Sequence, residues 1–152
     1  MENTSLSSCR ELLDSVRVRE DESLEQVVTT VLEHPGHHDV CVVDAGGHLV
    51  GVINIKKLFR SIFFQHTRQN RMTRQLMELT SSETAGHLMI KDPVYAAESE
   101  DLGSVIRKMV RYELGELPVL NDEGVLLGSV SMIHILEVWL ERQNEETSSN
   151  SR

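Results

Sequence analysis

Side chains able to ligate a metal or act as a nucleophile are sparse in this sequence of 152 residues, and each kind demands a particular arrangement. His34, His37 and His38 surround Pro35-Gly36, with Asp39 next in line. Imidazoles suit zinc, copper or nickel, but a structural metal site needs a full ligand set at defined spacing. No cysteine or second carboxylate stands at such spacing, so the turn reads as solvated and no metal is expected. Cys9 and Cys41 are too few for a disulfide framework or a zinc site. No Ser-His-Asp order, paired-carboxylate motif or phosphate loop emerges, so the expectation is a chain that is not an enzyme and has no catalytic residues.

Charge narrows the partners. The formal net charge is −9, which disfavours nucleic acid and acidic membranes because both attract a basic face. Arg60, His66, Arg68, Arg71 and Arg74 do fall in a stretch without Asp or Glu, read here as a solvated helix face or an internal partner for acidic surface. Apolar residues make up 39% and charged residues 26%, the balance of a soluble globular chain. No apolar run approaches the ~20 residues that cross a bilayer, and no charged-then-apolar leader opens the sequence, so a cytoplasmic location is expected. The polar stretches Glu2 to Ser8 and Glu141 to Arg152 are expected to fray.

The elements that hold these residues come as two copies. Leu24, Val27, Val28, Val31 and Leu32 have the spacing of a helix with one buried face, and Leu102, Val105, Ile106, Met109 and Val110 repeat it. Ser23 and Asp101 stand at the N-cap, with Gln26 completing a capping box in the first copy. Pro35-Gly36 and Gly115 are the expected stops. Two strands follow in each copy: Val40 to Val43 and Leu49 to Ile53, then Leu117 to Leu120 and Leu126 to Val130. Turns at Asp44 to Gly47 and Asn121 to Gly124 make each pair a hairpin. Further apolar helices open at Ile55 and Met132, and short extended pieces at Val16 to Arg19 and Val94 to Ala97 precede the repeats. Aligning Gly47 on Gly124 and Gly51 on Gly128 also aligns Asp39 with Glu116, Val42 with Val119 and Leu49 with Leu126. Strands apolar on both faces need cover on both, so neither half is expected to be stable alone.

In this order the features resemble the cystathionine-beta-synthase (CBS) domain, two of which in tandem form a Bateman module. The second copy carries the likeness in His87 to Val94, in Leu117-Pro118-Val119-Leu120-Asn121-Asp122-Glu123-Gly124 and in Gly128-Ser129-Val130-Ser131; the first keeps Asp44, Gly47 and Gly51 but has Cys41 where proline is usual. The resemblance implies an α+β fold of two β-α-β-β-α repeats packed with pseudo-twofold symmetry. It sets the first domain at residues 9–65, a linker or helix at 66–84, the second domain at 85–141 and a flexible tail at 142–152.

It also implies a regulatory, ligand-sensing and dimerising module, taking AMP, ATP or another adenosine derivative in the cleft between the domains and acting on an effector protein. In the family signature a Ser or Thr opens the last helix beside the phosphate, and an Asp three residues on accepts from the ribose. Those positions here are Ser131 and His134 in the second copy and Asn54 and Lys57 in the first. Neither copy keeps the carboxylate. A neutral histidine still accepts one hydrogen bond, whereas an ammonium accepts none and would suit an anion. Backbone near Val94 and Leu117, and at their counterparts Val16 and Val40, would read an adenine ring. The alternative is a structural interaction module with lapsed nucleotide sites. A homodimer is expected from the apolar surplus on the last helices: Leu58, Phe59, Ile62, Phe63 and Phe64 in one copy, Ile135, Leu136, Val138, Trp139 and Leu140 in the other.

Overall fold

The computed structural model of the chain describes residues 15–67 and 83–151. The first half runs β1 (Arg17–Arg19), α1 (Leu24–Glu33), β2 (Asp39–Val43), β3 (Leu49–Asn54) and α2 (Ile55–Thr67). After α3 (Ala85–Leu88) and β4 (Ile90–Lys91), the second half repeats that order as β5 (Ala96–Ala97), α4 (Leu102–Arg111), β6 (Glu116–Leu120), β7 (Leu126–Ser131) and α5 (Met132–Asn150). Cys9, Arg68, Arg71, Arg74, the amino-terminal stretch and most of the expected linker lie outside the described residues.

Local chemistry sets the helix starts. Ser23 Oγ accepts from the Gln26 N–H at 3.2 Å while Gln26 Oε1 accepts from the Ser23 N–H at 2.8 Å, the reciprocal capping box. Asp101 Oδ1 accepts from the Ser104 N–H at 2.7 Å, a one-way N-cap at α4. The ends differ from expectation. Helix α4 stops at Arg111 rather than running to Gly115; Glu113 takes the left-handed conformation (φ 53°) and the Leu114 N–H closes onto the Met109 carbonyl at 2.9 Å. The stretch expected to fray after Leu140 is instead helix through Asn150. Glu, Gln and Arg there favour helix intrinsically, and the Thr147 and Ser149 hydroxyls fold back onto carbonyls of the preceding turn.

Each half builds its own sheet. β1 runs parallel to β2, which pairs antiparallel with β3; β5, β6 and β7 repeat that pattern. The register repeats too: Asp39 faces Asn54 and Val42 faces Gly51, as Glu116 faces Ser131 and Val119 faces Gly128, and both hairpins break register at the same step. In the turns, Asp44 Oδ1 accepts from the Gly46 and His48 N–H groups, and Asn121 Oδ1 from those of Glu123 and Val125. Gly47 (φ 82°) and Gly124 (φ 81°) take the conformation that other residues resist. β4 follows α3 in the chain yet pairs with β3, so it extends the first half's sheet to four strands.

Three cores result. Val40 and Val42 point into the first half with Val27, Ile53 and Leu58; Leu117 and Val119 point into the second with Leu102, Val105 and Val130. The opposite faces of the same strands, Cys41, Val43, Leu120 and Leu126, pack on each other between the halves, with Leu49 against them. There the hairpins exchange hydrogen bonds: the Leu49 N–H donates to the Gly124 carbonyl at 3.2 Å and the Leu126 N–H to the Gly47 carbonyl at 3.0 Å, around the His48–Val125 bridge. Every partner in that exchange is the other half's equivalent, which defines a local twofold relation.

Candidate functional site

Strand alternation builds the site. Because successive side chains on a strand point to opposite faces, Asp39 and Cys41 on β2 and Glu116 and Pro118 on β6 all face the other half. Near the hairpins that shared face is apolar and closed. Toward the strand starts it turns polar, and a cleft of about 270 Å³ opens between the halves. Asp39, Cys41, Val52 and Asn54 wall it on one side; Leu114, Glu116, Pro118 and Ser129 wall it on the other; Ile90, Asp92, Pro93 and Val94 pass along it.

The polar groups are tied to one another. Asn54 Nδ2 donates to Asp39 Oδ1 at 2.7 Å, while Asn54 Oδ1 accepts from the Lys56 and Lys57 N–H groups at 3.0 and 3.4 Å and so caps α2. His37 Nδ1 lies 3.1 Å from Glu116 Oε1, joining the turn after α1 to the start of β6. Cys41 Sγ is 3.5 Å from the Ser129 hydroxyl. Burial pushes the Asp39 carboxyl above its ordinary value, against the opposing effects of Asn54 and His38. Burial also raises Glu116, opposed by His37 and reinforced by the nearby Asp39 charge. The Cys41 thiol, desolvated between the sheets, is pushed up to about 11.

Of the residues singled out from sequence, Asn54 and Val94 meet in this cleft. Ser131 and His134 sit at the start of α5, outside its lining; Ser131 Oγ accepts from the His134 N–H at 3.2 Å, and His134 Nδ1 is buried without a hydrogen-bond partner. Lys57 is exposed on the first turn of α2. The side chains of Val16, Val40 and Leu117 are buried in the cores of their own halves, and the Val16 carbonyl is taken by the Cys41 N–H at 2.8 Å. In the histidine turn, His34 Nδ1 bonds the Thr30 carbonyl at 2.9 Å. Among the described residues no three His, Cys, Asp or Glu side chains are placed to hold a metal. The cleft carboxylates Asp39 and Glu116 were not among the sequence-predicted site residues. Their signal was present, an acidic residue at the same position of both copies just ahead of the first hairpin strand.

A second surface lies on the helices that follow the hairpins. Phe59 and Phe63 on α2 are exposed with ring centroids 4.6 Å apart, and Met132, Ile133, Leu136, Trp139 and Leu140 on α5 are exposed as well. Ile135 on α5 packs inward against the second core. No helix among the described residues is long and apolar enough to cross a membrane.

Comparison with known proteins matches the sequence profile of the CBS domain to residues 9–63 and 85–141. The CBS domain of a CBS-domain-containing membrane protein from Sphaerobacter thermophilus is 27% identical, with 90% of this chain aligned to 88% of that one at a TM-score of 0.66. CBSX2, a CBS-pair protein of Arabidopsis thaliana, was solved in complex with AMP; it is 20% identical, with coverages of 92% and 98% and a TM-score of 0.71. The CBS domain pair of protein MJ0100, solved with 5′-methylthioadenosine and S-adenosyl-L-methionine, is 20% identical, with coverages of 88% and 95% and a TM-score of 0.65. A homoserine O-acetyltransferase from Methanosphaera stadtmanae is 26% identical over 98 residues, which is 64% of this chain but 17% of that protein.

Proposed function

This chain belongs to the CBS-domain family, with two copies of the domain in tandem, and from that premise we propose that it is a non-catalytic regulatory module that binds an adenosine-containing ligand between its halves. The observation that carries this reading is the cleft itself. Its walls come from both halves, so a ligand there touches β2 and β6 at once and favours one packing of the halves over another. Such a shift reaches an effector protein through the exposed apolar faces of α2 and α5, which also form the contact between two copies of the chain. CBS pairs of the same fold have been solved with AMP, 5′-methylthioadenosine and S-adenosylmethionine, which supports an adenosine derivative as ligand. The reading includes domains over 9–65 and 85–141, a homodimer and a cytoplasmic location.

A second reading, a structural interaction module with lapsed sites, is favoured by one observation. Lys57 and His134 stand where the family signature has its carboxylate, and Ser131 spends its hydroxyl capping α5. Thermal unfolding of the full chain with AMP, ATP, NAD and S-adenosylmethionine separates the two. A ligand that binds only the folded form stabilises it by about 2.7 kcal/mol at a hundredfold excess over Kd, a rise in Tm of several degrees. A rise with at least one compound is expected; no change with any of them establishes the structural module.

A further inference from the structure

From its charge and its caps we infer that the cleft selects nucleosides that are uncharged or positively charged and rejects the corresponding nucleotides. This rests on the ligand-sensing reading above and specifies the ligand's class.

The lining side chains set the sign of the cleft. Asp39, Asp92 and Glu116 line it, and no Lys or Arg among the described residues does. Asp39 and Glu116 are partly buried, and the Asp39 charge disfavours the ionised form of Glu116. A phosphate placed among them adds further negative charge where water screens poorly, whereas an ammonium or sulfonium relieves the repulsion. Uncharged hydroxyl groups are served as well, because a carboxylate accepts hydrogen bonds and offers none.

At the two helix starts that could cradle a phosphate, most of the first N–H groups are already bonded. Anions bind helix N-termini through free N–H groups. At α2 the Ile55 N–H donates to the His38 carbonyl at 3.0 Å, and those of Lys56 and Lys57 donate to Asn54 Oδ1. At α5 the Met132 N–H donates to the Gly115 carbonyl at 3.0 Å and the His134 N–H to Ser131 Oγ. A phosphate would have to break these bonds.

Shape agrees with charge. At about 270 Å³ the cleft lies just below the usual range of ligand pockets, ~300 to ~1,000 Å³, and Val52, Ile90, Val94 and Pro118 give it apolar walls for a flat ring. A base and its sugar match that space; a triphosphate would project from it.

Calorimetric titration of the full chain with adenosine, 5′-methylthioadenosine, S-adenosylmethionine, AMP and ATP tests the inference. At least one phosphate-free compound should bind tenfold or more tightly than AMP and ATP. In Asp39→Asn with Glu116→Gln, a near-isosteric change, the disadvantage of AMP should shrink severalfold and S-adenosylmethionine should weaken. AMP or ATP binding as tightly as adenosine, or selectivity unchanged in the folded double variant, overturns the inference and leaves the ligand-sensing function standing. No binding by any of the five overturns both.

Discussion

Cys41 shows how much one side chain's environment settles. It occupies the place of Pro118 in the other half, faces the partner sheet and shares a 3.5 Å contact with the Ser129 hydroxyl. With the thiol pushed up to about 11, roughly one molecule in ten thousand carries the reactive thiolate at pH 7. Iodoacetamide should therefore leave Cys41 unmodified in the native protein and label it as urea unfolds the chain. Peptide mass mapping distinguishes it from Cys9, and modification of native Cys41 at the rate of a free thiol would show that the halves do not stay closed over it. This residue also marks a limit of reading the sequence. In Val40-Cys41-Val42-Val43 every side chain is apolar, so the alternation that normally tells the inner face from the outer is lost. Val40, Val16 and Leu117 entered the expected ligand set through their backbone, and their apolar side chains, equally suited to a core, turn into the cores of their own halves. Asn54 was legible because a side chain that caps a helix at a strand end is fixed by its immediate neighbours.

At the level of elements, the sequence reveals what local chemistry determines. Ser23, Gln26 and Asp101 cap helices because the donors they satisfy lie within three residues, and Gly47 and Gly124 lie in the expected turns, in the left-handed conformation. The β4 strand was not foreseen, because two residues carry no periodicity and its partner β3 is distant in the chain. That pairing makes Gly51 critical. A methyl group there would meet Met89 Sδ at 2.5 Å and the Ile90 carbonyl at 2.9 Å; the sulfur can swing away but the backbone oxygen cannot without opening the strand pair. Gly51→Ala should cost about 1–3 kcal/mol in urea unfolding. Gly36→Ala, with nothing within 4 Å, should stay within about 0.5 kcal/mol. Equal effects at the two positions would mean that β4 does not hold its place against β3.

For the molecule as a whole, the division of the apolar residues of α5 between two faces was not legible in the sequence. Ile135 packs inward, while Leu136, Trp139 and Leu140 are exposed, as are Phe59 and Phe63 of α2. A helix apolar on two sides has a second surface to bury, and a twofold copy of the chain is the simplest partner. Sedimentation equilibrium should give a dimer for the native chain, and Leu136→Glu should shift it to monomer while its Tm remains cooperative. The single Trp139 reports the same event, its emission moving to longer wavelength on dilution. A native monomer at all concentrations would refute the dimer and leave these faces to the effector protein alone.

The placement of β4 bears on how such a tandem array can have arisen and changed. Ile90 and Lys91 follow the first unit in the chain, yet they zip onto its outer margin. The duplication is thus not a string of interchangeable beads: the later unit lends a piece of itself backward. Transplanting the first unit alone would bare the β3 backbone along that margin, and reversing the order of the units would leave the loan without a lender.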